Sequence, residues 1–143
     1  MVVGGGSQPH RDPGTYIVAA ALIESEDVPV IRKTMDGLLL PSEKKVHWQG
    51  SSDERRQELV GVVAQLPMCS IVVVHTDRSS ADRRHRRKCL EHLFPHLTHL
   101  SCVNVTFESR GSLDRSDLDI LQKFRARRLL EANMRIEHQR GRV

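Results

Sequence analysis

The chain has 143 residues, with 22 Lys and Arg against 18 Asp and Glu for a formal charge of +4, enough sequence for one domain with its own hydrophobic core. Its aromatic residues are Tyr16, Trp48, Phe94, Phe107 and Phe124, too few for single-strand binding built on stacked bases, whereas the basic balance favours contact with a polyanion. No run reaches the ~18 apolar residues that cross a bilayer and no charged-then-apolar leader marks secretion, so a cytoplasmic protein without a membrane partner is expected.

Residues 1–14 are rich in Gly, Pro and Ser and read as a flexible leader, followed by a single α/β domain over 15–143. Thr15 to Ile23 is a near-continuous apolar run, the pattern of a strand buried on both faces. Val28 to Leu40 places Val30, Ile31, Met35, Leu38 and Leu39 at helical spacing, with Pro29 in the first turn and Pro41 as the stop. Lys44 to Trp48 alternates as a short strand. Ser51 with Glu54 forms a capping-box pattern ahead of a helix whose stripe is Leu59, Val60, Val63 and Leu66.

Ser70 to Val74 is β-branched and uninterrupted, which predicts a central parallel strand. Ser79 or Ser80 caps the next helix, ending ahead of Pro95, with Cys89, Leu90, Leu93 and Phe94 as its apolar members. Ser101 to Phe107 alternates as a strand, closed by Glu108, Ser109, Arg110 and the turn residue Gly111. Ser116 then caps a helix with Leu118, Leu121, Phe124 and Leu129 inward, and Met134 to His138 is a last strand with nothing after it to cover it. Strand, helix, strand, helix, strand from residue 70 onward implies crossover connections and a parallel sheet flanked by helices.

Chemistry is expected at the carboxyl ends of such strands. Glu108 and Asp77 both fall there, and a carboxylate pair suffices to begin a magnesium site. His47, beside Trp48, offers an acid, a base or a metal ligand, although such histidines also serve as hydrogen-bonded structural groups. Arg110 suits either a phosphate or a neighbouring carboxylate. From Asp82 to Lys88 the sequence reads DRRHRRK, and on a helix Arg83, Arg84, Arg87 and Lys88 make a broad basic face, fit either for a phosphate backbone or for plain solvation. Cys69, Cys89 and Cys102 lack a CxxC pair and read as reduced thiols. No phosphate-binding glycine loop, dinucleotide fingerprint or serine nucleophile elbow is present.

The run from TYIVAAALI through LLLPSEKKVHW to VTFESRG resembles the domain of unknown function 3800 group. That resemblance implies a ribonuclease H-like mixed sheet, with a parallel half flanked by helices, and a metal-dependent nuclease using Mg, or Mn. It implies four motif elements, of which His47 and Glu108-Ser109-Arg110 match the second and third. The acidic motif of the first strand has only Asp12 as a substitute, and the last acidic element has no counterpart before Val143. The expectation is therefore a nuclease-type domain that acts on or binds nucleic acid, with Glu108 and His47 catalytic and Glu108 and Asp77 on metal. Arg83, Arg84, Arg87, Lys88 and Arg110 would lie on nucleic acid. The alternative is a non-catalytic nucleic-acid or protein-interaction module that uses the basic helix. An uncovered last strand also allows a homo-oligomer.

Overall fold

The computed structural model describes residues 2–6 and 14–140. The chain divides into two compact units, one made of Ile23–Cys69 and the other of the chain on either side of it. The leader is not uniformly loop, because Val2–Gly6 forms a strand, β1. Residues 7–13, with Asp12 among them, lie outside the described residues.

The larger unit is a five-stranded sheet of β1, β2 (Thr15–Leu22), β3 (Cys69–Thr76), β4 (Asn104–Glu108) and β5 (Arg135–Gln139), in the order β3-β2-β1-β4-β5. β1 runs antiparallel to β2 and parallel to β4, and β4 runs parallel to β5. The fold class is thus mixed α/β, as the pattern of elements implies. Strands 70–74 and 101–107 are not neighbours, since β1 and β2 stand between them. β3 is an edge strand and not the expected central one. Its valines reflect the fit of β-branched side chains to a pleated surface, which a strand at either place offers.

One face of this sheet is dry. Tyr16, Val18 and Ala20 of β2, with Val105 and Phe107 of β4, pack against α3 (Asp82–His99) and α4 (Asp114–Ala126). Cys89, Leu90, Leu93, Phe94 and Leu97 of α3 are completely buried, each large side chain contributing about 1.5–3 kcal/mol by leaving water. That burial explains why α3 runs through Pro95 instead of stopping before it: Phe94 and Leu97 flank the proline and hold both halves of the helix in the core. The other face alternates outward. β2 is buried at every second residue and not on both faces, with Ile17 at the surface, and Val72 and Val74 of β3 are 59% and 54% exposed.

Both helices end in the same way. Cys102 N donates to Leu97 O and Leu129 N to Phe124 O, each at 2.9 Å, with Ser101 (φ 55°) and Arg128 (φ 56°) in the left-handed conformation usually left to glycine. α4 starts before the predicted Ser116 cap, after a 3-10 turn over Gly111–Leu113, and Leu118 and Leu129 point outward.

The second unit holds α1 (Val28–Gly37) and α2 (Asp53–Val63), with Ile31, Leu38 and Leu59 buried. Ser52, not Ser51, caps α2, its hydroxyl accepting from Arg55 N at 3.2 Å. Ser51 instead donates its hydroxyl to His47 O at 2.6 Å. Residues 44–48 form no strand. Arg56 lies over the Trp48 ring at 5.6 Å, and Arg55 Nη2 donates to Leu38 O. No described helix is long and apolar enough to cross a membrane.

Candidate functional site

The carboxyl ends of β4 and β5 and the first turns of α3 and α4 meet at one carboxylate, that of Asp117, which is fully buried. Arg86, 3% exposed, grips it with both prongs, Nε to Oδ1 at 2.6 Å and Nη2 to Oδ2 at 2.7 Å. Arg110 Nη2 reaches Oδ1 at 2.9 Å, and His138 Nε2 lies 3.4 Å from Oδ2. The planar guanidinium matches both carboxylate oxygens at once, which is why arginine and not lysine suits this place.

Aromatic side chains close the cluster. Arg86 sits over the Phe107 ring at 5.5 Å, and Phe107 stacks on His138 at 5.4 Å. Arg110 Nη1 donates to the Tyr16 hydroxyl at 3.5 Å, and Tyr16 stacks on His85 at 5.9 Å. His85 Nδ1 and His75 Nδ1 are 2.7 Å apart, so one ring donates and the other accepts. Burial alone would lower the Arg86 pKa; the hydrogen bonds and charge of Asp117 outweigh it and hold the pKa above the ordinary arginine value. Two guanidiniums share this carboxylate, and Asp114, which accepts from Arg110 N, brings a second carboxylate beside Arg110.

Glu108 ends β4 and is half-buried. It belongs to the other side of the sheet, because β4 buries the alternate positions Val105 and Phe107. Val2 pairs with Thr106 and Val3 with Phe107, and Gly4 follows Val3 in β1 as Glu108 follows Phe107 in β4. Across β1 the same Gly4 pairs with Ala19.

Asp77 follows β3, three strand positions from β4, about 14 Å at the usual inter-strand spacing. Its carboxylate takes hydrogen bonds from the Ser80 hydroxyl (2.5 Å), the Ser79 hydroxyl (2.7 Å) and Ser79 N (3.0 Å). Those three donors, Ser80 first, hold it well below the usual aspartate range. The two serines expected to cap α3 are thereby used, and Ala81 caps it without a side-chain bond. Asp114 is likewise held low, by the Ser109 hydroxyl at 2.6 Å and then by Arg110 N at 2.7 Å. His47 is exposed and lies in the second unit.

The structure does not bring Glu108 and Asp77 together. Arg110 turns inward to Asp117 instead of outward to a phosphate. Of the basic run, Arg86 is in the core, Arg83 lies 3.6 Å from Asp119, and Arg87 and Lys88 share Glu91 at 3.5 and 2.9 Å. Among the described residues, Arg84 is exposed and has no ion pair.

Among the described residues, the carboxylates that could hold the magnesium or manganese implied by the ribonuclease H resemblance stand apart from one another. Gly4 has no ligand to offer, Asp77 is held by its serines, and Asp117 is locked by two arginines. Among the described residues no three His, Cys, Asp or Glu side chains are grouped to hold a metal ion. Compared with known proteins, the chain matches no family model and no curated protein sequence.

Sequence reasoning missed Asp117, Arg86 and His138. The first two carried a signal: Asp117 shares helical spacing with Ile120, Leu121 and Phe124, and Arg86 shares it with Leu90, Leu93 and Leu97. A charged residue on an apolar stripe is a buried ion-pair candidate. His138 had no comparable mark, since its burial depends on the pairing of β5 with β4.

Proposed function

We propose that the chain is a ribonuclease H-like domain that binds nucleic acid without cleaving it. The observation that carries the reading is the sheet: the order β3-β2-β1-β4-β5, antiparallel at β1/β2 and parallel at β1/β4 and β4/β5, built around a first strand whose glycines follow the positions paired with Thr106 and Phe107. The arrangement of strands supports the fold assignment, and Gly4 supports the loss of metal chemistry, since two-cation catalysis needs several carboxylates converging on one place.

Binding rests on the outward side of α3. Among the described residues Arg84 forms no close ion pair, and Arg83, Arg87 and Lys88 sit in surface pairs with Asp119 and Glu91. Such exposed pairs are worth ~0–1 kcal/mol each, so a phosphate displaces the carboxylate at little cost. The contact is electrostatic and weakly selective for sequence, because phosphates position a protein and base edges specify it.

Fluorescence anisotropy of duplex DNA and RNA against salt tests the binding. Arg84→Ala with Arg87→Ala should flatten the plot of log affinity against log salt by about 2 on a duplex. An unchanged slope makes the basic helix a solvated face only. Incubation of single-stranded, duplex and hybrid substrates with magnesium or manganese tests the absence of cleavage. Cutting that disappears in Glu108→Gln would restore the catalytic reading and overturn this one.

A further inference from the structure

The sheet has two edges of opposite character. β5, RIEHQ, carries Arg135 and Glu137, and charged residues on an edge strand are a common protection against pairing with another chain. The homo-oligomer expected through the last strand therefore meets a guarded edge. β3, CSIVVVHT, has eight residues and no Lys, Arg, Asp, Glu, Pro or Gly. Among the described residues its only hydrogen-bonded neighbour in the sheet is β2. An edge strand carries a row of backbone donors and acceptors on the side away from its neighbour, and the outward valines of β3, Val72 and Val74, are more than half exposed.

We infer that two copies of the chain pair through β3, antiparallel, about a two-fold axis at Val73. This goes beyond nucleic-acid binding and does not depend on it. An antiparallel pair places residues of the same sheet face directly opposite one another. With the axis at Val73, Val72 meets Val74 of the partner subunit and Val74 meets Val72 of the partner subunit. Ser70 meets Thr76 of the partner subunit, and the two Val73 side chains meet on the helix side.

A second copy is the occupant for three reasons. The strand is uncharged, so self-pairing brings no like charges together. It is β-branched at four consecutive positions, Ile71 to Val74, so each copy offers the other an extended partner of equal length. The pairing is isologous and therefore closed, ending at two copies, while the charged β5 edges stay outside. Eight residues span about 27 Å, a small interface next to the ~1,200–2,000 Å² of stable complexes, so the dimer exchanges with monomer.

Light scattering and sedimentation of the full chain, from micromolar to millimolar, should show mass rising from monomer to dimer and stopping there. Val72→Lys and Val74→Glu should each be monomeric at concentrations where the wild type is dimeric. Mixed in equal amounts they should form a dimer again, because the positive charge of Val72→Lys in one copy then faces the negative charge of Val74→Glu in the other. Val72→Thr, which keeps the branched shape, should still pair. Far-UV circular dichroism checks that each variant is folded, as substitution at exposed positions favours. In the unaltered protein, the outward amides of β3 should exchange more slowly with solvent as concentration rises, a readout that needs no variant. Constant monomer mass, growth past the dimer, a dimer indifferent to Val72→Lys, or no recovery on mixing would each overturn the pairing.

Discussion

Replacing Asp117 by Ala should be among the most damaging single changes in the larger unit. The carboxylate is fully buried and holds Arg86, itself 3% exposed, through two hydrogen bonds of 2.6 and 2.7 Å. Removing it leaves one guanidinium charged in the core and a second, Arg110, without its best partner, while Arg86 Nη1 already has no bond to spare. Breaking one side of a buried pair costs about 3–5 kcal/mol, a large part of the ~5–15 kcal/mol that holds a domain folded. With a urea dependence of about 2 kcal/mol per molar for a protein of this size, the midpoint should fall by about 2 M. Urea unfolding followed by far-UV circular dichroism measures it. Arg86→Met supplies the second arm of a double-mutant cycle: in that background Asp117→Ala should cost at least about 1.5 kcal/mol less than in the wild type, because no orphaned Arg86 remains. A single-mutant loss below about 1 kcal/mol, or strictly additive losses, would refute the burial argument.

Two further outcomes follow from local geometry. Arg128→Gly should stabilise by about 1 kcal/mol, since it relieves a left-handed residue at the end of α4; a thermal midpoint that fails to rise would contradict this. Asp77 is held ionised by Ser80 and Ser79, so its contribution to stability is complete above the ordinary aspartate range and is lost as pH falls through its lowered pKa. Ser80→Ala should raise that pKa toward the ordinary value in a carboxyl NMR titration and weaken the protein's resistance to acid; an unmoved titration would show that the hydroxyl is not what holds Asp77.

The helices were largely legible because their apolar residues recur with the helical period. Pro29 and Leu121–Phe124 locate α1 and α4 to within a turn, and the Leu90–Leu93–Phe94 stripe locates α3 but not its end beyond Pro95. The strands were legible as strands but not as a sheet. Nothing in SIVVV distinguishes an edge from a centre, and the place of β3 depends on β1, whose glycines carry no periodic signal at all. His47 misled for a related reason: five alternating residues, KKVHW, satisfy the strand period without having a neighbour to pair with. The candidate site was half readable. Glu108, Ser109 and Arg110 were found at a strand end, but Asp114 and Asp117, the partners of Ser109 and Arg110, resemble helix-capping residues until the helix is seen to begin early and to turn Asp117 toward the core.

The glycine strand has a consequence for how the sheet is assembled. β1 must pair with β4, roughly a hundred residues further along the chain, a separation that makes folding slow because loop closure precedes any reward. Gly4, Gly5 and Gly6 bring no side chains to fix their register, and glycine-rich strands are weakly specified. β2 must therefore act as the template on one side and β4 on the other, each placed by residues such as Val18 and Phe107 in the shared core. The middle of the sheet becomes the last part to lock, and amide exchange along β1 should report the joining of two halves that are each defined before they meet.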